Sequence, residues 1–292
     1  MEHSDAGQPL RVTPDRRLAD DWALALASAG IDTRLDWSTQ GYVLTVRDTD
    51  RQRADAVLDA FDDENRHQDS AGSDRFEIGT SSAAVVIAAL LCAFFVVTGP
   101  RDAGGEWFQR GGAIASRIRA GELWRTVTAL TLHADFPHVL SNALTLLIFG
   151  GALCGLVGVG IGVWLMLVSG ATGNWITALV RGPPYNAVGA STAVFGAVGA
   201  LAAIQLVRRR RGASVPAWRV WAPIAAGLAL LGFLGTAPES DVLAHLFGFA
   251  VGALLGLGAA RAEGLRDRRG LQLTLALGGL LVVVACWLLA LV

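Results

Sequence analysis

Residues 242–260 read VLAHLFGFAVGALLGLGAA, nineteen residues without a formal charge and with one imidazole, His245. A helix needs about 20 predominantly apolar residues to cross the hydrocarbon core of a bilayer, with about 17 a working minimum. The stretch meets that length and reads as a transmembrane helix. His245, Gly248, Gly252 and Gly256 recur at the spacing of a single helical stripe. Glycines along such a stripe let a neighbouring backbone come very close. The segment is therefore a membrane helix built for tight packing, with an imidazole at one end of the packed face.

Six more stretches share its apolar character: roughly 82–99, 138–156, 159–180, 190–207, 220–236 and 271–291. The stretch at 220–236 is the weakest. Composition agrees with seven spans. Of the 292 residues, 53% are hydrophobic and only 17% charged, against about 25% charged in an ordinary soluble domain. The charges are also unevenly placed. Residues 1–77 hold 17 of the 25 acidic groups and 9 of the 24 basic ones, so the overall charge of −1 hides an acidic first part and a basic remainder. This excludes one soluble domain, a disordered chain and a basic nucleic-acid binder. The expected fold class is an all-α polytopic membrane protein carrying a small N-terminal α+β domain.

Within that first domain, residues 19–29 have helical apolar spacing (Trp22, Leu24, Leu26) and stop at Gly30. Two alternating runs, 31–37 and 42–46, are joined by a Ser-Thr-Gln-Gly turn and read as strands. Residues 53–61 place Ala54, Val57, Leu58 and Phe61 on one helical face. Residues 62–75 are polar and acidic and read as a linker. Neither a signal peptide nor a mitochondrial transit peptide is expected, because the first long apolar run begins near residue 82 and the preceding residues are acidic. All basic residues are arginine. Cys92, Cys154 and Cys286 lie in apolar stretches without metal-ligand spacing, so neither a disulfide framework nor a metal site is expected.

The arginines set the orientation. Arg208 to Arg211 and Arg219 follow the fourth span, and Arg261, Arg266, Arg268 and Arg269 follow the sixth. Residues 236–241 between the fifth and sixth carry none. The positive-inside rule then places the 4–5 and 6–7 connections, and with them the N-terminal domain, in the cytoplasm. The expected location is the plasma (cell inner) membrane. The connection 100–137 is external by this count yet holds five arginines with Trp107, Phe108 and Trp124, so it reads as lying partly in the interface.

Polar residues inside a bilayer are costly and carry a functional hypothesis by default. Here His138 and Asn142 open the second span, Ser191 the fourth and His245 the sixth. These three spans run in the same direction, from outside to inside. At 1.5 Å rise per residue the four side chains share a layer roughly 5–10 Å below the external surface. A serine, two histidines and an asparagine are the ingredients of acyl transfer: nucleophile, base and oxyanion donors. Gly189 permits a tight turn just before Ser191, and a helix N-terminus there offers unpaired N–H groups. Asp241, four residues before His245, either orients the imidazole or caps the helix, and capping is the commoner role.

The pattern Trp124-Arg125, then His133, His138 and Asn142, then Gly189-Ala190-Ser191, then Ala244-His245-x-x-Gly248 resembles the rhomboid intramembrane serine proteases over residues 82–260. The resemblance implies Ser191 as nucleophile and His245 as general base, with His138, Asn142 and the Ser191 N–H as the oxyanion hole. It implies that Trp124 and Arg125 shape the 1–2 loop, that His133 is structural, and that Phe195 places its ring against the imidazole. It also implies cleavage of transmembrane protein substrates in the lipid bilayer, without metal or organic cofactor. The implied architecture is a six-helix core plus a seventh C-terminal helix. The chain then divides into a soluble domain and linker (1–77), a protease core (78–262), and a cytosolic loop with an extra transmembrane helix (263–292). One departure is Thr192, where the family usually has glycine.

Two other function classes fit parts of the pattern. A rhomboid-like membrane-protein binding factor would share the architecture without proteolysis. A transporter would carry polar residues through the full depth of its spans, whereas here they gather near one face.

Overall fold

The structure, a computed structural model, describes residues 9–72, 81–212 and 241–292, apart from 40, 104 and 262, together with scattered residues between 216 and 229. It forms two compact units that divide at Arg75/Phe76.

The first unit runs β1 (Pro9–Thr13), α1 (Arg16–Ser28), β2 (Thr33–Ser38), β3 (Gly41–Val46) and α2 (Arg51–Gly72). The strands form an antiparallel sheet in the order β1-β3-β2. Leu10, Trp22, Leu26, Leu44 and Leu58 form its core, and Trp22 Nε1 donates to Asp62 Oδ1 at 2.9 Å, fastening α1 to α2. Two features depart from the sequence reading. Strand β1 was not expected, and residues 62–72, expected as linker, continue α2. Apolar periodicity ends at Phe61, but the helix persists without needing a further apolar face.

The second unit contains the membrane spans. Among the described residues, six segments are long and apolar enough to cross a bilayer: 82–103, 136–157, 159–181, 191–210, 242–259 and 269–291. The expected span at 220–236 lies largely outside the described residues, so the count of seven rests on it. The chain is organised as α3 (Ser82–Thr98), a connection with α4 (Glu106–Gly111), β4 (Ala113–Ile114), α5 (Ala115–Arg119) and α6 (Arg125–Thr128), then α7 (Phe136–Thr145). A π turn at Leu146–Gly150 carries α7 into α8 (Gly151–Val157), making one span. There follow α9 (Val159–Arg181), β5 (Asn186–Ala187), α10 (Ser191–Arg210), α11 (Val242–Ala259) and α12 (Arg269–Leu291).

Helix α10 is the centre of the unit, with every residue from Thr192 to Gln205 buried. Its composition explains this placement, because Ala and Gly dominate and neighbouring backbones can close in. Helix α11 packs parallel to it along the glycine stripe. A Cβ at Gly248 would meet the Thr192 carbonyl, one at Gly252 the Gly196 carbonyl, and one at Gly256 the Ala200 carbonyl at 2.7 Å. Three contacts at a constant four-residue step fix the register of α11 on α10. Gly173 of α9 joins the same junction, where an added Cβ would lie 2.7 Å from Thr192 Cγ2.

The 99–135 connection is pinned by Arg125, which is almost fully buried. Its Nε donates to Glu122 Oε2 at 2.5 Å, and its Nη1 donates to the carbonyls of Gln109 at 2.7 Å and Gly112 at 3.2 Å. Ala113 and Ile114 of β4 pair with Ala187 and Asn186 of β5, tying this connection to the approach to Ser191. Helix α12 is braced at both ends. Gln272 accepts from the amides of Gly160 and Ile161 and donates to the carbonyls of Val157 and Leu265. Trp287 Nε1 donates to Thr131 Oγ1 at 3.0 Å, and the Trp287 ring meets Phe94 and Trp107 edge to face.

Candidate active site

The approach to α10 is set by backbone geometry. Gly189 has φ +125°, a conformation that disfavours any side chain. A Cβ there would also lie 2.6 Å from His138 Nε2. The Gly189 amide donates to the Ala129 carbonyl at 2.9 Å, and the Ala190 amide donates to His133 Nε2 at 3.4 Å. His133 is fully buried. Burial, and secondarily the neighbouring His138, push its pKa down to about 3. The ring is thus neutral at physiological pH and free to accept from Ala190. Helix α10 then opens at Ser191, whose amide is among the N–H groups that the start of any helix leaves without an intrahelical acceptor.

Ser191 Oγ lies 2.8 Å from His245 Nε2. The imidazole is buried and stacks on the Phe195 ring, with centroids 4.4 Å apart and planes inclined by 15°. Packing supplies this geometry: the glycine register brings the first turn of α11 onto the first turn of α10. If Nε2 accepts the serine proton, the neutral ring carries its own proton on Nδ1. That nitrogen is buried and has no hydrogen-bond partner among the described residues.

His138 and Asn142 enter from α7. Asp135 caps this helix by accepting the His138 amide at 2.7 Å. His138 Nδ1 accepts from the Ala134 amide at 3.4 Å, which leaves the proton of the neutral ring on Nε2, the atom nearest Gly189. Asn142 is less simple. One Nδ2 hydrogen bonds the His138 carbonyl at 2.9 Å, so only the second remains to donate elsewhere. Its Oδ1 is buried without a partner among the described residues.

Ser191, His245, His138, Asn142 and Gly189 all line one cavity of about 820 Å³. Asp241 also borders it, but its carboxylate is turned to other partners. Oδ1 accepts from the Ala244 amide at 3.1 Å and so caps α11. Oδ2 accepts from the Tyr185 hydroxyl. Arg181 Nη2 stands 3.7 Å from Oδ1. Of the two roles open to Asp241, the structure takes capping.

A family model described as a rhomboid domain matches residues 120–262. The putative rhomboid protease YdcA of Bacillus subtilis (strain 168) is 32% identical over 138 residues, covering 47% of this chain and 68% of that protein. The chain belongs to the rhomboid family. This rhomboid is also similar to RHOMBOID-like protein 1 of Arabidopsis thaliana, 35% identical over 149 residues, which cover 48% of the chain and 35% of that protein. It is 34% identical over 155 residues to the rhomboid protease GluP of Bacillus subtilis (strain 168), covering 52% of the chain and 30% of that protein. The chain thus spans about a third of the length of these last two relatives. The domain match takes in all five cavity residues named above, while residues 1–119 and the whole of α12 lie outside it.

Sequence reasoning missed two side-chain pairings around the cavity of this rhomboid. Thr192, the departure from the usual glycine, donates from Oγ1 to Asn174 Oδ1 at 3.0 Å, and Asn174 Nδ2 donates to the Thr126 carbonyl at 3.0 Å. The added side chain is held toward α9. The signal was available as a buried Asn in an apolar span, but its partner is 18 residues away and depends on helix rotation. Thr192→Val keeps the shape and strands Asn174 Oδ1. Leaving a buried acceptor unsatisfied costs about 1–3 kcal/mol, so a lower thermal midpoint in detergent is expected; an unchanged midpoint would mean that the bond contributes nothing. The second group is Tyr185 with Asp241, whose sequence separation of 56 residues gave no local pattern.

Proposed function

We propose that this rhomboid is an intramembrane serine endopeptidase that hydrolyses peptide bonds in or beside transmembrane segments of other membrane proteins. Ser191 is the nucleophile and His245 the general base. The observation that carries the reading is the 2.8 Å approach of Ser191 Oγ to His245 Nε2, within the reach that proton transfer requires.

Attack of Oγ on a substrate carbonyl passes the hydroxyl proton to His245 Nε2 and forms the C–O bond of a tetrahedral intermediate. The oxyanion accepts from the Ser191 amide, from His138 Nε2–H and from the remaining Asn142 hydrogen. One such donor is worth roughly 2.7–4 kcal/mol of barrier in acyl transfer. His245 then gives its proton to the leaving nitrogen as the C–N bond breaks. A water, deprotonated by the same ring, hydrolyses the acyl-enzyme and restores Ser191. With no carboxylate on His245 Nδ1 among the described residues, the ring is held by the Phe195 stack, and the working unit is a dyad. The low-dielectric surroundings strengthen each of these hydrogen bonds.

The protein lies in the plasma membrane with its N-terminal unit in the cytoplasm. Arg208 to Arg211 at the end of α10, and Arg261, Arg266, Arg268 and Arg269 between α11 and α12, support that orientation.

A fluorophosphonate probe tests the reading, because it labels only an activated serine. Labelling of the full chain in detergent at Ser191, and its loss in His245→Ala, are expected. An unlabelled wild type would exclude the protease and favour a binding factor of the same architecture.

A further inference from the structure

The Ser191–His245 distance depends on two separate stretches of chain, and a second link joins them. Tyr185 lies in the loop between α9 and α10, six residues before Ser191. Asp241 is the N-cap of α11, four residues before His245. The Tyr185 hydroxyl donates to Asp241 Oδ2, while Asp241 Oδ1 accepts the Ala244 amide and stands 3.7 Å from Arg181, the last residue of α9. One carboxylate therefore gathers the end of α9, the loop that delivers Ser191 and the first turn of α11.

We propose that Tyr185 and Asp241 are positioning residues: their hydrogen bond clamps the 182–190 loop to the first turn of α11 and thereby sets the geometry between Ser191 and His245. Neither touches the reacting atoms. The inference rests on the protease reading for its catalytic consequence, but the clamp itself does not.

Three observations support the clamp. First, the other anchors that the described residues give the loop near Tyr185 run elsewhere than to α11, among them Arg101 Nη2 donating to Asn186 Oδ1 at 3.3 Å. On one side, β4 holds Asn186 and Ala187 through two paired positions, and the Ala115 amide donates to the Tyr185 carbonyl at 3.0 Å. Those bonds fix the loop to the 99–135 connection, not to α11. Second, α11 is held on α10 by glycine contacts that begin at Gly248, three residues past His245. The first turn lies beyond that stripe; there the Phe195 stack and the Ser191 bond hold the imidazole, and the Tyr185–Asp241 bond ties the same turn to the loop as well. Third, Tyr185 is partly buried, and that burial together with the Asp241 carboxylate raises its pKa. The hydroxyl therefore stays a donor across the whole working range of pH.

Removing only the hydroxyl, in Tyr185→Phe, leaves the Asp241 cap on Ala244 intact. A displacement of about 1 Å can slow a positioned reaction roughly 100-fold, so fluorophosphonate labelling of Ser191 should slow by about 10- to 100-fold. In a substrate assay the loss should fall on kcat with KM little changed. Asp241→Ala should match it or exceed it. Asp241→Asn should recover most of the rate, since its Oδ1 accepts the Ala244 amide and its Nδ2 donates to the Tyr185 oxygen. The Tyr185→Phe/Asp241→Ala double variant should be no slower than Asp241→Ala alone, as expected of two residues acting through one bond.

Hydrogen exchange supplies a readout that does not need catalysis. Amides in the first turn of α11 and in the 182–190 loop should exchange faster in Tyr185→Phe, while those of α10 from Ala197 onward should not change. Unaltered exchange in the first turn overturns the clamp. Altered exchange with a wild-type labelling rate overturns its positioning role. If the wild type itself is not labelled, the protease reading fails, and exchange alone decides whether the clamp exists.

Discussion

Ser191→Ala is expected to reduce cleavage of a reporter transmembrane substrate by at least about 10³-fold, to the background of the detergent assay. In serine hydrolases, loss of the nucleophile removes the covalent route entirely and leaves only what binding and the oxyanion donors can do. The substitution deletes one oxygen from a site whose backbone is fixed by other means. Gly189 remains bonded to Ala129, Ala190 to His133, and α10 remains buried from Thr192 to Gln205. The thermal midpoint should therefore stay close to that of the wild type. Cleavage that survives in Ser191→Ala would remove this serine from the mechanism. His245→Ala should be nearly as inactive, and combining the two should add little, because nucleophile and base act as one unit.

Gly252→Val should be the most damaging single change outside the cavity. A Cβ at this position would run into the Gly196 carbonyl, and the backbone cannot yield as a flexible side chain would. The two helices must separate. Overpacking a tight interior typically costs about 1–3 kcal/mol, and here the displaced helix carries His245. Activity should fall by more than about 100-fold, together with a lower thermal midpoint. Gly258→Ala is the control on the same helix, since a Cβ there meets nothing within 4 Å among the described residues. It should leave both stability and cleavage near wild type. Equal behaviour of the two variants would show that glycine spacing along α11 does not govern its packing on α10.

The comparison of Gly252 with Gly258 also indicates how far the sequence could be read. Hydropathy and length are properties of single helices, so six spans were visible without coordinates. The glycine stripe was visible because 3.6 residues per turn is fixed by the backbone. Counting alternating spans put Ser191, His245, His138 and Asn142 at one depth, and the charge asymmetry of the connections assigned that depth to the external side. Contacts that depend on the rotation of one helix against another were not legible. Asn142 was expected to aim at the cavity, yet half of its amide bonds its own helix at the His138 carbonyl. Thr192 meets Asn174, and Tyr185 meets Asp241, only because α9, α10 and α11 converge. Strand β1 escaped because its five residues show an irregular burial pattern, with a register shift between Pro9 and Arg11 that breaks the two-residue period. The tail of α2 escaped for the opposite reason: it has no apolar period to detect.

The brace formed by α12 has a consequence for the order of assembly. The 99–135 connection emerges from the ribosome long before residues 269–291. Two of its side chains nevertheless find partners there: Trp287 bonds Thr131, and Arg110 Nη1 donates to the Leu291 carbonyl at 2.8 Å. Until α12 has been inserted, Arg110 has, among the described residues, only its ion pair with Glu106, and Thr131 only the Thr128 carbonyl. The loop that supports the approach to Ser191 therefore gains its last two side-chain bonds only after translation of α12, so the newborn chain completes this bracing late.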